Sequence, residues 1–487
     1  MAVSEPTRTG AAKRRIGGVD AARGAALVAM MAIHVLPGWN EDFEPTFTWL
    51  VFAGRGAALF ALLAGVSLAF MSGGQYPPRG ERMTAARLGL AVRAVLITVI
   101  GLLLGFLVIY AQVILVYYGV MFLLALPLLR LRARTLLILS ALIALTAPVL
   151  MQATRDSLAD MGGVEPNFST LVQAPGDVLG QVLLSGTYPA LPWMAYVCAG
   201  LAIGRLDLAE RKVQLRLVVA GVGLAVATAA LSAFLLGPLG GRDQLVDAAS
   251  VWSSTPEETV YDTLMWGPDP TLPTDTWWWL ASLTPYSSTP LVLLNTIGTA
   301  VAFLGILLLL GKAASAVLAP LAVLGKMTLT LYSLHLLLLA TGLLEDRPPL
   351  SLIVQLMIVT GFAYAWQRFN AQGPLERVVS EASKRVRSTY LERAGRKAAA
   401  QRTAEYGAER KPGEARLPSG TPAGTEVQPF SIRSAAPPPP STPPSIQPDR
   451  VSPSAASAST APPPPPMGRR QALEAEARGR HRNRQRS

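Results

Sequence analysis

The stretch DAARGAALVAMMAIH, residues 20–34, decides the reading of this chain. Its middle is an apolar helix that a bilayer would accept. Yet an acid and a base stand at one end and an imidazole at the other. Asp20, Arg23, Leu27, Met31 and His34 recur at spacings of 3, 4, 4 and 3, which is one helical face. Arg23 and His34 differ by only ~20° around the helix axis and by ~16 Å along it. A charge in hydrocarbon costs at least ~2.5–3.5 kcal/mol, so such groups usually face a cavity or a partner. Two readings stand side by side. In one, the face is a functional site. In the other, Asp20 and Arg23 are an interfacial i,i+3 ion pair with Arg23 snorkelling, and His34 is a hydrogen-bonded core residue.

The chain around this stretch has 487 residues, 51% of them hydrophobic and 15% charged, against about 25% charged in soluble domains. Apolar runs of about 20 residues recur over the first ~370 positions, each long enough for ~30 Å of hydrocarbon. The expectation is an all-α, polytopic transmembrane bundle. Its spans number about ten, at roughly 17–37, 48–71, 90–109, 111–129, 135–153, 180–204, 215–237, 290–310, 326–344 and 349–367. Lys13, Arg14 and Arg15 precede the first span. Basic residues then fill the even-numbered connections: Arg79, Arg82 and Arg87; Arg130, Arg132 and Arg134; Arg205, Arg211, Lys212 and Arg216; and Lys312. Odd-numbered connections read NEDFEPT and EDRPP. The positive-inside rule therefore puts both termini in the cytoplasm, and the expected location is the plasma membrane. AAKRRIGG runs straight into a full-length span, so no cleaved signal peptide is expected. The single cysteine, Cys198, excludes an internal disulfide and a cysteine-built metal site, and no metal is expected.

The expected organisation is a cytoplasmic N-terminus at 1–14, a transmembrane domain at 15–375, a basic amphipathic segment at 376–410 and a disordered tail at 411–487. The outward connection at 238–289 carries Arg242 against seven acidic residues, with Trp252, Trp266, Trp277, Trp278 and Trp279. It reads as an interfacial aromatic belt beside a solvated acidic loop, or as a sugar-stacking surface over an outward site. From 377 onward there are 20 basic and nine acidic residues, with APPPPSTPP and APPPPPMGRR among them. Such a segment cannot bury enough apolar surface to fold. Its charge points to anionic lipid rather than to nucleic acid. His481 lies in it and is given no role.

Arg23 followed by His34 resembles the R-x10-H signature of integral-membrane acyltransferases. GVDAARGAALVAMMAIHVLP is similar to the opening of the heparan-alpha-glucosaminide N-acetyltransferase catalytic domain family, in its bacterial branch. GRGAALFALLAGVSLAF, VILVYYGVMFLLALPL, GTYPALPWMAYVCAGLAIGRLDL, LGKMTLTLYSLHLLLLA and FNAQGPLERV continue the resemblance over roughly 15–375. It implies transfer of an acetyl or other short acyl group from cytoplasmic acyl-CoA to an extracytoplasmic glycan or glycolipid of the cell envelope. His34 falls on the family's catalytic histidine and Arg23 on the arginine of its signature, with Asp20 beside it. One stretch departs from the pattern: relatives read Pro-His-Ser-Gly-Thr-Pro where this chain has PYSSTP, so Tyr286 replaces a histidine.

The residues give that implication physical content. CoA phosphates need cations, and Arg23, Arg87 and Arg93 stand at the inner ends of the first and third spans. An imidazole suits proton removal from an acceptor hydroxyl or amine, or carries the acyl group itself. Arg55, at the depth of His34, stabilises an oxyanion or snorkels. His335, mid-span beside Tyr332, is a substrate contact or a satisfied core residue. Tyr188 and Trp193 flank two prolines, and a span broken there is tolerated where backbone lines a cavity. Tyr117, Tyr118 and Gln112 line the same space or pack in the core. Two other function classes compete: a small-solute transporter, and a scaffold whose Pro-rich tail recruits partners. A homo-oligomer is compatible with either enzyme or transporter.

Overall fold

In hydrocarbon every backbone polar group must be paired within its own segment, so apolar runs of this length become helices. The computed structural model describes residues 17–409 other than 160, 162, 269 and 270, with the backbone alone for 312 and 406–409. The helices are α1 Gly17–Val35, α2 Phe47–Phe52, α3 Arg55–Met71, α4 Glu81–Leu104, α5 Leu115–Ala125, α6 Ala133–Thr154, α7 Phe168–Gln173, α8 Pro175–Gly180 and α9 Ala190–Ile203. They continue with α10 Arg211–Leu236, α11 Gly241–Ala249, α12 Pro256–Trp266, α13 Pro290–Ala313, α14 Ser315–Gly325, α15 Thr328–Ala340, α16 Pro348–Gln367 and α17 Pro374–Glu409. No strand occurs among the described residues. The described residues up to Ala400 form one compact unit and a second begins at Gln401. The expected termini, 1–14 and 411–487, lie outside the described residues, as do Lys13, Arg14, Arg15 and the side chain of Lys312.

The protein is a polytopic helical bundle. Among the described residues seven stretches are long and apolar enough to cross a membrane: Gly17–Val35, Phe47–Met71, Glu81–Leu104, Ala133–Ser157, Arg211–Leu236, Pro290–Gly311 and Pro348–Gln367. An eighth arises if α14 and α15, bent by 72° at their junction, form one broken span. The fourth and sixth expected spans are the short helices α5 and α9. Pro127 follows α5 and starts a single 3-10 turn. Before α9, a π-turn at Gln181–Ser185 gives way to extended backbone at Gly186. α9 is about 21 Å long and buried along almost its whole length, so protein rather than lipid surrounds it.

α1 packs on α3, α13 and α14, α3 packs on α9, and α10 packs on α13. Several crossings need glycine, most closely α1 on α14 and α3 on α9. A Cβ at Gly24 would overlap the Leu321 backbone and one at Gly325 the Asp20 carbonyl, so α1 and α14 touch backbone to backbone. Gly65 and Gly200 do the same for α3 and α9.

Two expectations change here, and the segment after 375 takes a definite form. The connection at 238–289 is folded: α11, α12 and a 3-10 turn at Trp277–Ala281 close over a small core of Leu245, Ala249, Val260, Leu272 and Trp279. Asp275 ties that core together, accepting from Trp279 Nε1 at 2.7 Å and Trp252 Nε1 at 2.8 Å. Arg205, counted above as a loop charge, is buried. It donates to Gly74 O and Leu129 O, each at 2.5 Å, and to Ser72 Oγ at 3.3 Å, binding three turns into one layer. The basic segment after 375 is a 36-residue helix, α17. It rests on the first turns of α4, where Tyr390 donates to Glu81 at 2.5 Å.

Candidate functional site

The face of α1 lies inside the bundle, and its two ends meet different surroundings. At one end Arg23 Nη1 pairs with Asp20 at 2.9 Å, and Nη2 donates to Ser67 Oγ on α3 at 2.7 Å. Beside them is a cavity of about 280 Å³, lined by Arg23, Arg93, Lys326 and Glu376 together with apolar and aromatic side chains from α3, α4, α5 and α15. Glu376 is committed to the start of α15, accepting from Leu329 N at 2.7 Å, Thr330 N at 3.1 Å and Thr330 Oγ1 at 2.5 Å. Arg93 Nε and Tyr118 Oη are buried without hydrogen-bond partners. Arg87 does not join this lining; it donates to Pro127 O at 3.2 Å, in a separate shallow pocket. Of the three arginines grouped from sequence, the cavity unites Arg23 and Arg93.

At the other end His34 meets His335. Their nitrogens, Nδ1 and Nε2, are 3.2 Å apart and the rings lie parallel within 3°. His335 is fully buried on α15. Its Nδ1 lies 2.8 Å from Gln355 Oε1 on α16, and Gln355 Nε2 donates to Ser351 Oγ at 3.1 Å. Sequence reasoning singled out both histidines but neither Gln355 nor Ser351. Their signal is an i,i+4 polar pair inside the apolar run of α16.

A third group is aromatic. Tyr188 packs edge-on against Trp193 at 5.1 Å, Tyr117 at 5.8 Å and Tyr286 at 6.4 Å between ring centres. The row continues from Tyr286 to Trp49 at 6.3 Å and on to Trp266 at 5.6 Å. Trp266 comes from the folded connection. Trp193 Nε1 donates to Ser288 Oγ at 3.1 Å. Tyr286 and Ser288 both have positive φ, 60° and 56°, a conformation that costs a side-chain-bearing residue about 1–3 kcal/mol. PYSSTP is thus a strained turn holding Tyr286 in the aromatic row. Arg55 is exposed and donates to Leu50 O at 2.6 Å, as a snorkelling side chain does. Near the row, Glu165 accepts from Val113 N at 3.0 Å. Burial pushes its carboxyl up to about 7, against the lowering effect of that bond. Among the described residues no three His, Cys, Asp or Glu side chains converge as metal ligands would.

Residues 15–233 match the family model described as "Heparan-alpha-glucosaminide N-acetyltransferase, catalytic". The matched segment runs from α1 into α10; α15 and α16, with His335 and Gln355, lie beyond it. No curated protein matches the chain.

Proposed function

We propose that the protein is an acyl-CoA-dependent membrane acyltransferase, since residues 15–233 match the heparan-alpha-glucosaminide N-acetyltransferase catalytic family model, which implies a membrane acetyltransferase type of function. The donor, acetyl-CoA or another short acyl-CoA, enters at the Arg23 end of α1 from the cytoplasm. The acceptor, a glycan or glycolipid of the cell envelope, meets the His34 end from outside.

The observation that carries this reading is the pairing of two sites on one helix. Arg23 faces a cation-rich cavity, and His34, ~16 Å further along α1, abuts a second imidazole. The cavity, about 280 Å³, is at the low end of the ~300–1,000 Å³ common for drug-sized ligands. It suits the pantetheine arm, with the nucleotide phosphates at the Arg93 and Lys326 mouth. In the direct mechanism, His34 takes a proton as the acceptor oxygen or nitrogen attacks the thioester carbon. The C–S bond breaks and the CoA thiolate takes that proton. In the two-step variant His34 attacks the thioester carbon and expels the CoA thiolate; the acceptor then attacks the acyl-imidazole, the N–acyl bond to His34 breaks, and the acceptor's proton goes to the thiolate. Tyr188, Trp193 and Tyr286 offer aromatic faces to a sugar ring.

Purified protein in lipid nanodiscs tests this. His34→Ala should remove acyl transfer while CoA still binds, and Arg23→Gln should weaken CoA binding roughly ten- to a hundred-fold. Full transfer by His34→Ala, or normal CoA binding by Arg23→Gln, sinks the assignment. Envelope glycans compared by mass spectrometry between a deletion strain and its parent identify the acceptor. Small-solute transport is the second reading, favoured by the broken α14–α15 pair; CoA-independent solute flux in proteoliposomes separates it.

A further inference from the structure

We propose that Gln355, anchored by Ser351, is a positioning residue that fixes the tautomer of the histidine pair, so that His34 presents a bare Nε2 to the acceptor. The consequence for catalysis rests on the acyl-transfer reading above; the hydrogen-bond geometry does not.

The chain of bonds has one direction. Ser351 Oγ lies 2.7 Å from Leu343 O, which can only accept, so the single hydroxyl hydrogen goes there. The Ser351 lone pairs then face Gln355 Nε2, which donates to them at 3.1 Å. That orientation turns Gln355 Oε1 toward His335 Nδ1 at 2.8 Å, and an amide oxygen only accepts, so His335 carries its hydrogen on Nδ1. Neutral His335 therefore has an unprotonated Nε2. His34 Nδ1, 3.2 Å away, donates to it. Neutral His34 has then spent its one ring hydrogen, and its Nε2 lone pair is free. The reversed amide would invert each of these assignments and leave the Leu343 carbonyl without its donor. Ser351, Gln355 and His335 are all buried, so water does not offer the alternative partners that would blur the pattern.

The device gives the reaction a defined base. When Nε2 takes the acceptor's proton, the His34 imidazolium keeps its Nδ1–H bond to His335, which stabilises the new charge. Nε2 then returns the proton to the departing thiolate, leaving both rings as they began. Direct transfer and an acyl-imidazole intermediate use the same nitrogen.

The chain has three histidines, His34, His335 and His481, so ring-¹⁵N labelling of the full protein in lipid nanodiscs yields few signals. His34→Gln and His335→Gln spectra assign them. The expected pattern is a protonated Nδ1 and bare Nε2 on both His34 and His335. Ser351→Ala should mix the tautomers, and Gln355→Glu, which can only accept, should keep them. In acyl transfer from acetyl-CoA, Gln355→Leu should lower kcat at least roughly ten-fold with KM for the donor unmoved, and Gln355→Glu should restore most of it. A protonated Nε2 on wild-type His34, or a pattern unchanged in both Ser351→Ala and Gln355→Leu, overturns the inference. The expected tautomers in a protein that transfers no acyl group would uphold the positioning device and overturn the functional reading instead.

Discussion

Replacing Arg93 by methionine should move stability and binding in opposite directions. Arg93 lines the donor cavity with its Nε buried and unpartnered, and it makes no salt bridge among the described residues. Glu376, the acid of the same lining, already holds the first turn of α15. A buried charge costs several kcal/mol where its compensation is incomplete, and the attraction of Glu376 offsets only part of the burial of Arg93, which Arg23 opposes. Arg93 is only half-buried, so screening reduces this to on the order of 1 kcal/mol. Methionine keeps the length of the apolar stem and removes that penalty. The ligand-free variant should therefore unfold higher, by up to a few °C. The same change deletes charge-assisted contacts to a phosphate, worth about 1.5–3 kcal/mol, which weakens CoA roughly 10- to 150-fold. Thermal unfolding in detergent with and without CoA, together with titration calorimetry, reads both effects. Affinity within about two-fold of wild type, or a ligand-free variant that melts lower, refutes the reasoning.

Arg205→Ala should destabilise by about 2–4 kcal/mol, because Gly74 O, Leu129 O and Ser72 Oγ lose a common donor. Arg205→Lys should not rescue it, since an ammonium lacks the planar fork; thermal unfolding reads both. Glu165, with its carboxyl pushed up to about 7, binds more protons folded than unfolded between its ordinary value and 7, so stability should fall as pH rises through that window and level off above it. Glu165→Gln should flatten the profile, with a difference on the order of 2 kcal/mol after allowance for partial exposure; a parallel pair of melting curves from pH 5 to 8 would contradict this. Glu376→Gln removes the acid from the cavity lining, so CoA should bind several-fold tighter at low salt and lose that gain at high salt; weaker CoA binding at low salt would count against the cavity as the donor site.

The face of α1 was legible because helical spacing is local: Asp20, Arg23 and His34 declare one surface whatever packs on it. The pairing of His34 with His335 was not legible, since it joins residues 301 positions apart. Gln355 and Ser351 were visible as polar residues in an apolar run, yet nothing in α16 alone says that they point at an imidazole. Hydropathy counts apolar residues without knowing whether lipid or protein surrounds them. That is why α5 and α9 read as full spans, and why α14, a short apolar helix with Pro320 inside it, went unread. Arg205 illustrates the converse. A basic residue at a helix end satisfies the positive-inside pattern equally well when solvated and when it binds three turns in the interior. Trp279 belongs to a core rather than to a belt for the same kind of reason, because partners such as Leu245 and Val260 come from helices too short to announce themselves.

The break between α14 and α15 places the two ends of the proposed site on one helix. Backbone that interrupts a span is tolerated where it lines a cavity, and Gly325, Lys326 and Thr328 at this break line the one beside Arg23. Glu376 closes the exposed first turn of α15 by accepting from Leu329 N and Thr330 N. From there α15 runs in the same direction as α1, since both leave the cavity and both reach the histidine pair. On α15 the interval is short. Tyr332 lines the cavity, its hydroxyl 3.3 Å from both Ile114 N and Gln112 O, and His335 follows one turn later, ~4.5 Å along the axis. A thioester arm that fills the cavity from its cations to Tyr332 thus ends about one helical turn from His335, the partner of His34. On the proposed acyl-transfer reading, α15 is the element that joins the donor cavity to the histidine pair.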